Sequence, residues 1–224
     1  DYLRRFERDI GPYPYNHYIV AANRRPTGLG LPTFTLLGRQ VLRLPFIRET
    51  SLGHEVLHSW FGNSVEIDPV QGNWGEGLTT FLADHAFRSD RGEGAADRKE
   101  RIVNYLSYVH TTTALPLSSF RSADHRQPQA EAVRAVGYNR AALLFAELQA
   151  MLGEEAFLRV IRQFYTRHRG QPASWNDLRQ AFGEASGQDL APFFADRLLR
   201  QEIPALSVAD VDIRQTESGS RITF

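Results

Sequence analysis

A chain of 224 residues, 42% of them hydrophobic, is long enough to bury a substantial core. Its formal net charge of zero gives no reason to expect a nucleic-acid or anionic-membrane partner. The absence of cysteine excludes disulfides and thiolate metal sites, and no run approaches the ~18 apolar residues of a membrane helix.

In chain order, Leu3, Phe6 and Ile10 set among arginine and glutamate predict a short amphipathic helix over 2–10, ended by Gly11-Pro12-Tyr13-Pro14. Three β segments follow at 17–22, 32–37 and 40–45, with loops at 23–28 and 28–32 and a turn at Gly38-Arg39. A helix is expected over 47–61, stopped by Gly62-Asn63 in a left-handed conformation, with Trp60 and Phe61 in the core. A second is expected over 77–87, burying Leu78, Phe81 and Leu82. The next, over 96–110, would bury Ile102, Tyr105, Leu106 and Val109. The Ser- and Pro-rich stretch 111–129 reads as a loop of about twenty residues, a length that in compact domains often serves function. Helices over 140–152, 154–168, 175–185 (capped by Ser174) and 190–200 complete an α+β chain, a small N-terminal sheet followed by a mostly helical half. Alternation over 205–213 and 220–224 suggests a hairpin. The chain opens at Asp1 without a methionine and stops within a strand-like run, so both ends read as cut from a longer protein. Flanking domains are therefore expected, and the compartment is left open.

Chemistry concentrates in 53–84. His54 and His58 are four residues apart, which on a helix places them about 40° apart around the axis and roughly 6 Å along it. Two imidazoles so placed can share a metal ion, and Glu55 lies beside them where it can hold a water. Catalytic zinc takes three protein ligands and keeps one position open. Glu76, eighteen positions beyond His58, is the candidate third ligand; alternatively it completes a capping box begun by Asn73. The two readings differ in where the carboxylate points. Thr80 and Asp84, one and two turns further on, could orient a ligand or simply face solvent.

The run His54-Glu55-Val56-Leu57-His58-Ser59-Trp60-Phe61-Gly62-Asn63, followed by Trp74-Gly75-Glu76-Gly77, resembles the aminopeptidase-N-like gluzincin zinc metallopeptidases. That family shows H-E-x-x-H, about eighteen intervening residues, then Glu; here the gap is one residue shorter. The likeness extends over about 1–204, implying a thermolysin-like catalytic domain, with 205–224 beginning a further β segment. It implies one Zn2+ per chain on His54, His58 and Glu76, Glu55 as general base, and a peptide as substrate.

Gly137-Tyr138-Asn139-Arg140-Ala141 resembles the family's Y-x-K-G-A segment, whose tyrosine donates to the oxyanion, and Tyr138 lies 62 residues after Glu76. Taken without the metal motif, Tyr138 reads first as a core tyrosine with its hydroxyl at the surface. The loop Gly28-Leu29-Gly30-Leu31-Pro32 stands where the family carries G-x-M-E-N, whose glutamate grips the substrate's α-amino group. Leu31 takes that glutamate's place, so the substrate loop Gly28, Leu29, Gly30 and Leu31 lacks the amine anchor unless another residue such as Glu49 supplies it. The remaining alternative is a zinc-bearing binding domain without catalysis, for which Glu55 and an open metal position would have no use.

Overall fold

The computed structural model describes residues 1–24, 28–44, 47, 51–122, 129–201, 209–216 and 219–223. Helix α1 (Tyr2–Asp9) packs Phe6 and, just past its end, Ile10 into the core. Strands β1 (Ile19–Asn23), β2 (Gly28–Leu31) and β3 (Phe34–Gly38) form a sheet of order β1-β3-β2. β1 runs parallel to β3, pairing Ile19 with Phe34, and β2 runs antiparallel to it, pairing Leu31 with Phe34. Three strands were expected, but their identities differ. The glycine-rich stretch expected as a loop is β2, because its backbone groups find a ladder partner in β3. The stretch 40–45 instead carries a 3₁₀ turn at Val41–Arg43; Pro45, Glu49 and the start of the expected helix at 48–50 lie outside the described residues.

Helix α2 (Ser51–Leu57) buries Gly53 through Leu57. Past Leu57 the turn tightens, Ser59 N–H donating to the Val56 carbonyl at 3.1 Å and Trp60 N–H to that of Leu57 at 2.9 Å. Gly62 at φ +117° turns the chain away; Asn63 has negative φ and instead donates its side-chain amide to the His58 carbonyl at 2.9 Å. Trp60 and Phe61 are fully buried, as expected.

The second metal-site helix is longer than its sequence suggests. It runs continuously through α3 (Gly75–Thr79), a widened π turn (Thr80–His85) and α4 (Ala86–Asp90). Its start is pinned by Trp74, whose indole N–H donates to the Ala173 carbonyl at 2.7 Å, beside the two-residue parallel pair β4 (Glu66–Ile67) and β5 (Pro172–Ala173). Helix α5 (Gly94–Tyr108) follows the expected facing in part: Tyr105 and, just past its end, Val109 are buried as expected, whereas Ile102 and Leu106 are about half exposed and Gly94 and Asp97 are buried instead. The loop that follows holds a 3₁₀ turn at Leu117–Ser119 and a buried Phe120; its stretch 123–128 lies outside the described residues.

Tyr138 sits within a helix, on a second π turn (Ala135–Arg140) between α6 (Ala130–Arg134) and α7 (Ala141–Leu152). α8 (Glu154–His168), α9 (Trp175–Ser186) and α10 (Ala191–Leu199) follow the expected punctuation. Ser174 accepts from Asp177 N–H while Asp177 accepts from Ser174 N–H, a complete capping box. The core joins these helices to α2 and α3 through Phe61, Trp74, Phe164 and Trp175. Strands β6 (Asp212–Thr216) and β7 (Gly219–Thr223) pair as an exposed antiparallel hairpin, while the boundary expected near Pro204 lies outside the described residues.

Candidate metal centre and cleft

Helix α2 and the tightened turn after it hold His54 and His58 with ring centroids 4.9 Å apart and planes at 79°. Helix α3 brings Glu76 to both: one carboxylate oxygen, Oε2, lies 3.3 Å from His54 Nε2 and 3.4 Å from His58 Nε2. Each remaining ring nitrogen is occupied, His54 Nδ1 by Asp84 Oδ2 at 3.0 Å and His58 Nδ1 by the Phe61 carbonyl at 3.1 Å. A ring that donates from Nδ1 is left with its lone pair on Nε2, so both free lone pairs face the Glu76 oxygen.

The donor set suits zinc. Tetrahedral bonds of about 2.0–2.1 Å put ligand atoms roughly 3.3–3.4 Å apart, and the three side chains meet that spacing. Burial works against charge on His54, yet Asp84 and Glu76 raise its pKa well above the ordinary value. Burial likewise works against charge on Glu76, yet the two histidines hold its carboxyl well below the usual range. Carboxylates that favour a proton on these rings equally favour a cation between them.

Glu76 therefore points into the site. Asn73 closes a shorter loop, accepting from Gly75 N–H at 2.8 Å, and makes no reciprocal box with Glu76. The other Glu76 oxygen, Oε1, accepts from Ser122 Oγ at 3.2 Å, and Ser122 accepts from Asn73 Nδ2 at 3.0 Å. Ser122 belongs to the long loop and carried no sequence signal, since its contact is made by folding alone. Of the two residues weighed as supports, Asp84 reaches His54, whereas the buried Thr80 hydroxyl has no hydrogen-bond partner among the described residues.

Glu55 is buried, and that burial raises its pKa, with His54 and His58 pulling the other way. Strand β2 passes directly over it. A Cβ at Gly28 would overlap the Glu55 carboxylate, and one at Gly30 would lie 2.9 Å from the Glu55 carbonyl and from His58 Cβ. Only glycine lets the strand approach this closely. Among the described residues β2 lies at the edge of its sheet, and Gly28, Leu29 and Gly30 line a cavity of about 820 Å³ that also takes in Glu55 and Tyr138. Leu31 falls outside that lining.

Across the cavity, the Tyr138 ring stacks beside His54 with centroids 6.0 Å apart and planes at 17°. The Arg134 guanidinium covers the Tyr138 ring at 5.0 Å from its centroid. Burial, and then the charge of Glu76, raise the phenol pKa, so the hydroxyl keeps its proton.

The sequence profile of the Peptidase family M1 domain matches residues 48–197. Aminopeptidase N of Escherichia coli is 31% identical over 146 residues, covering 65% of this chain and 17% of that protein. The mitochondrial aminopeptidase 2 of Saccharomyces cerevisiae is 27% identical over 181 residues, covering 76% and 18%. The chain thus spans less than a fifth of the length of these relatives. Among solved structures, a mutant M1 zinc metallopeptidase of Deinococcus radiodurans bound to a Tyr-Ser-Ala substrate superposes with a TM-score of 0.72 at 24% identity, over 92% of this chain and 44% of that one. Yeast LTA4 hydrolase gives 0.74 at 16% identity, over 92% and 35%. Both share the fold.

Proposed function

Because the chain belongs to peptidase family M1, we propose that it hydrolyses peptide bonds with one zinc ion held by His54, His58 and Glu76. The observation that carries this reading is the convergence of two Nε2 atoms on one Glu76 oxygen, with both Nδ1 atoms already engaged. When bound there, zinc supplies Lewis acidity, lowering the pKa of a water and polarising a carbonyl.

The rest of the chemistry falls to the chain. Glu55, its basicity raised by burial, takes the proton from the attacking water and passes it to the leaving amine nitrogen. Tyr138, still protonated, donates its hydroxyl hydrogen to the oxyanion of the tetrahedral intermediate. Asp84 keeps His54 in the tautomer whose Nε2 is free. The edge of β2 at Gly28–Leu31, where Asn63 Nδ2 already reaches the Gly30 carbonyl at 3.4 Å, would offer its remaining backbone groups to an extended peptide. Together the small sheet, the two histidines on α2 and the glutamate on α3 support a thermolysin-like arrangement. We read 1–204 as the catalytic domain and the β6–β7 hairpin as the start of a further β segment, with flanking domains in the full-length protein.

Recognition of a free amino terminus is the point at which the activity departs from the relatives' names. Leu31 supplies no charge, and the β2 residues that do line the cavity, Gly28, Leu29 and Gly30, supply none either. Peptide hydrolysis without an absolute demand for an α-ammonium group follows.

The test is Glu55→Gln, assayed for both hydrolysis and zinc content. An amide can hold a water but cannot take its proton, so activity should vanish with the metal retained. Loss of zinc in that variant would make Glu55 a ligand or a structural residue and overturn the mechanism.

A further inference from the structure

Asp84 and Tyr138 are presented in the same unusual way, each from a π turn interrupting a helix: Thr80–His85 for Asp84 and Ala135–Arg140 for Tyr138. Such turns are rare and wide, and a neighbouring element has to hold their shape. Helix α5 lies against both. Its residues Asp97, Arg101 and Asn104, spaced four and three apart, share one face, and all three line the cavity that contains Tyr138.

That face is wired to both turns. Asp97 is 3% exposed and accepts from Arg101 through Nε at 2.7 Å and Nη2 at 3.0 Å. It also lies 2.8 Å from Nδ1 of His85, the last residue of the first π turn and the neighbour of Asp84. Arg101 Nη1 donates to Asn139 Oδ1 at 3.4 Å, and Asn139 Nδ2 donates to Asn104 Oδ1 at 2.7 Å. Asn139 directly follows Tyr138. Stability alone does not call for such a face, since apolar residues of similar volume commonly serve as well as a buried ion pair.

We propose that Asp97, Arg101 and Asn104 are positioning residues that hold the π turn carrying Tyr138 and tie it to the π turn carrying Asp84. They keep the phenol at its distance from His54 and act through Tyr138, so the inference rests on the oxyanion role assigned to Tyr138 above. A fold-stabilising face would act on the whole domain; a positioning face acts on kcat through one hydroxyl.

Asn104 is the place to test it, because it is exposed and its replacement leaves the core intact. Asn104→Leu should lower kcat by roughly three- to tenfold, the weight of one net hydrogen bond, with KM, zinc content and thermal midpoint unchanged. Asn104→Asp keeps an acceptor for Asn139 and should retain the wild-type kcat. In a Tyr138→Phe background, Asn104→Leu should cost nothing further. In the metal-free protein, amides of 135–140 should exchange roughly three- to tenfold faster in Asn104→Leu. Additive losses in the double variant, or unchanged exchange, would overturn the proposal. A wild-type protein inactive on every peptide would instead overturn the proposed function, and the exchange measurement would still decide whether α5 holds the turn.

Discussion

Asp84 and Tyr138 show how a single side chain acquires its role from what it touches. Asp84 had a solvated helix face as its bland alternative, yet its carboxylate sits 3.0 Å from His54 Nδ1. Asp84→Ala should weaken zinc binding by roughly 10- to 100-fold, measured by competition with a chelator, because the His54 ring loses the contact that sets its tautomer. Unchanged affinity would return Asp84 to the surface. Tyr138, flanked by His54 and Arg134, carries a hydroxyl with its proton held in place. Tyr138→Phe should lower kcat by roughly 10²- to 10³-fold with little effect on KM, since the hydroxyl acts on charge that develops only in the transition state. A variant with wild-type kcat would make Tyr138 a packing residue.

At the level of elements, strand β2 sets the tolerances of the site. Its glycines let a backbone edge lie on Glu55 and His58, and a single methyl group removes that freedom. Gly28→Ala should therefore displace either the strand or the Glu55 carboxylate. A misplacement of about 1 Å can cost roughly 10²-fold in kcat/KM, and zinc content should not change. Wild-type kinetics in this variant would place the strand further from the carboxylate than the structure does. Helix α5 teaches the complementary lesson. Its apolar positions predict one buried face, and Tyr105 and Val109 are buried there, but Asp97 is buried as well because His85 and Arg101 pair with it. Paired polar groups can outweigh a weak apolar stripe, leaving Ile102 and Leu106 half exposed.

For the molecule as a whole, the question is what the cleft asks of its substrate. An α-ammonium group entering beside Leu29 gains no charged partner from β2 and loses hydration, a penalty of roughly 1 to 3 kcal/mol if the amine stays unpaired. N-acetylated and free peptides should then be cleaved with similar kcat/KM. The comparison belongs in the full-length protein, where any flanking domain that closes the cleft or brings an anchor of its own would be present. A strong preference for free amino termini, abolished by mutating Glu49, would locate the missing anchor outside the described residues.

The candidate histidine pair and the glutamate beside it were legible in the sequence because their relation is local: the helical repeat alone sets His54, Glu55 and His58 on neighbouring positions. The helices of the second half were legible for a similar reason, since glycine, proline and the Ser174 cap act within a few residues of themselves. What Glu76 does could not be read in that way, because capping and ligation use the same residue type at the same place. Tertiary structure fixes where its carboxylate points, with two imidazoles near one oxygen and Ser122 holding the other. Tertiary structure also made a strand of Gly28–Leu31, buried Asp97 of α5 against His85, and put Tyr138 on a π turn facing His54. The strand was missed for a different reason, since β2 pairs with β3 across only two residues and its glycines read as a loop; the other contacts need partners further along the chain, His85 with Asp97 and Asn104 with Asn139. A hydrogen bond between such partners exists only once the chain has folded, so no local pattern records it.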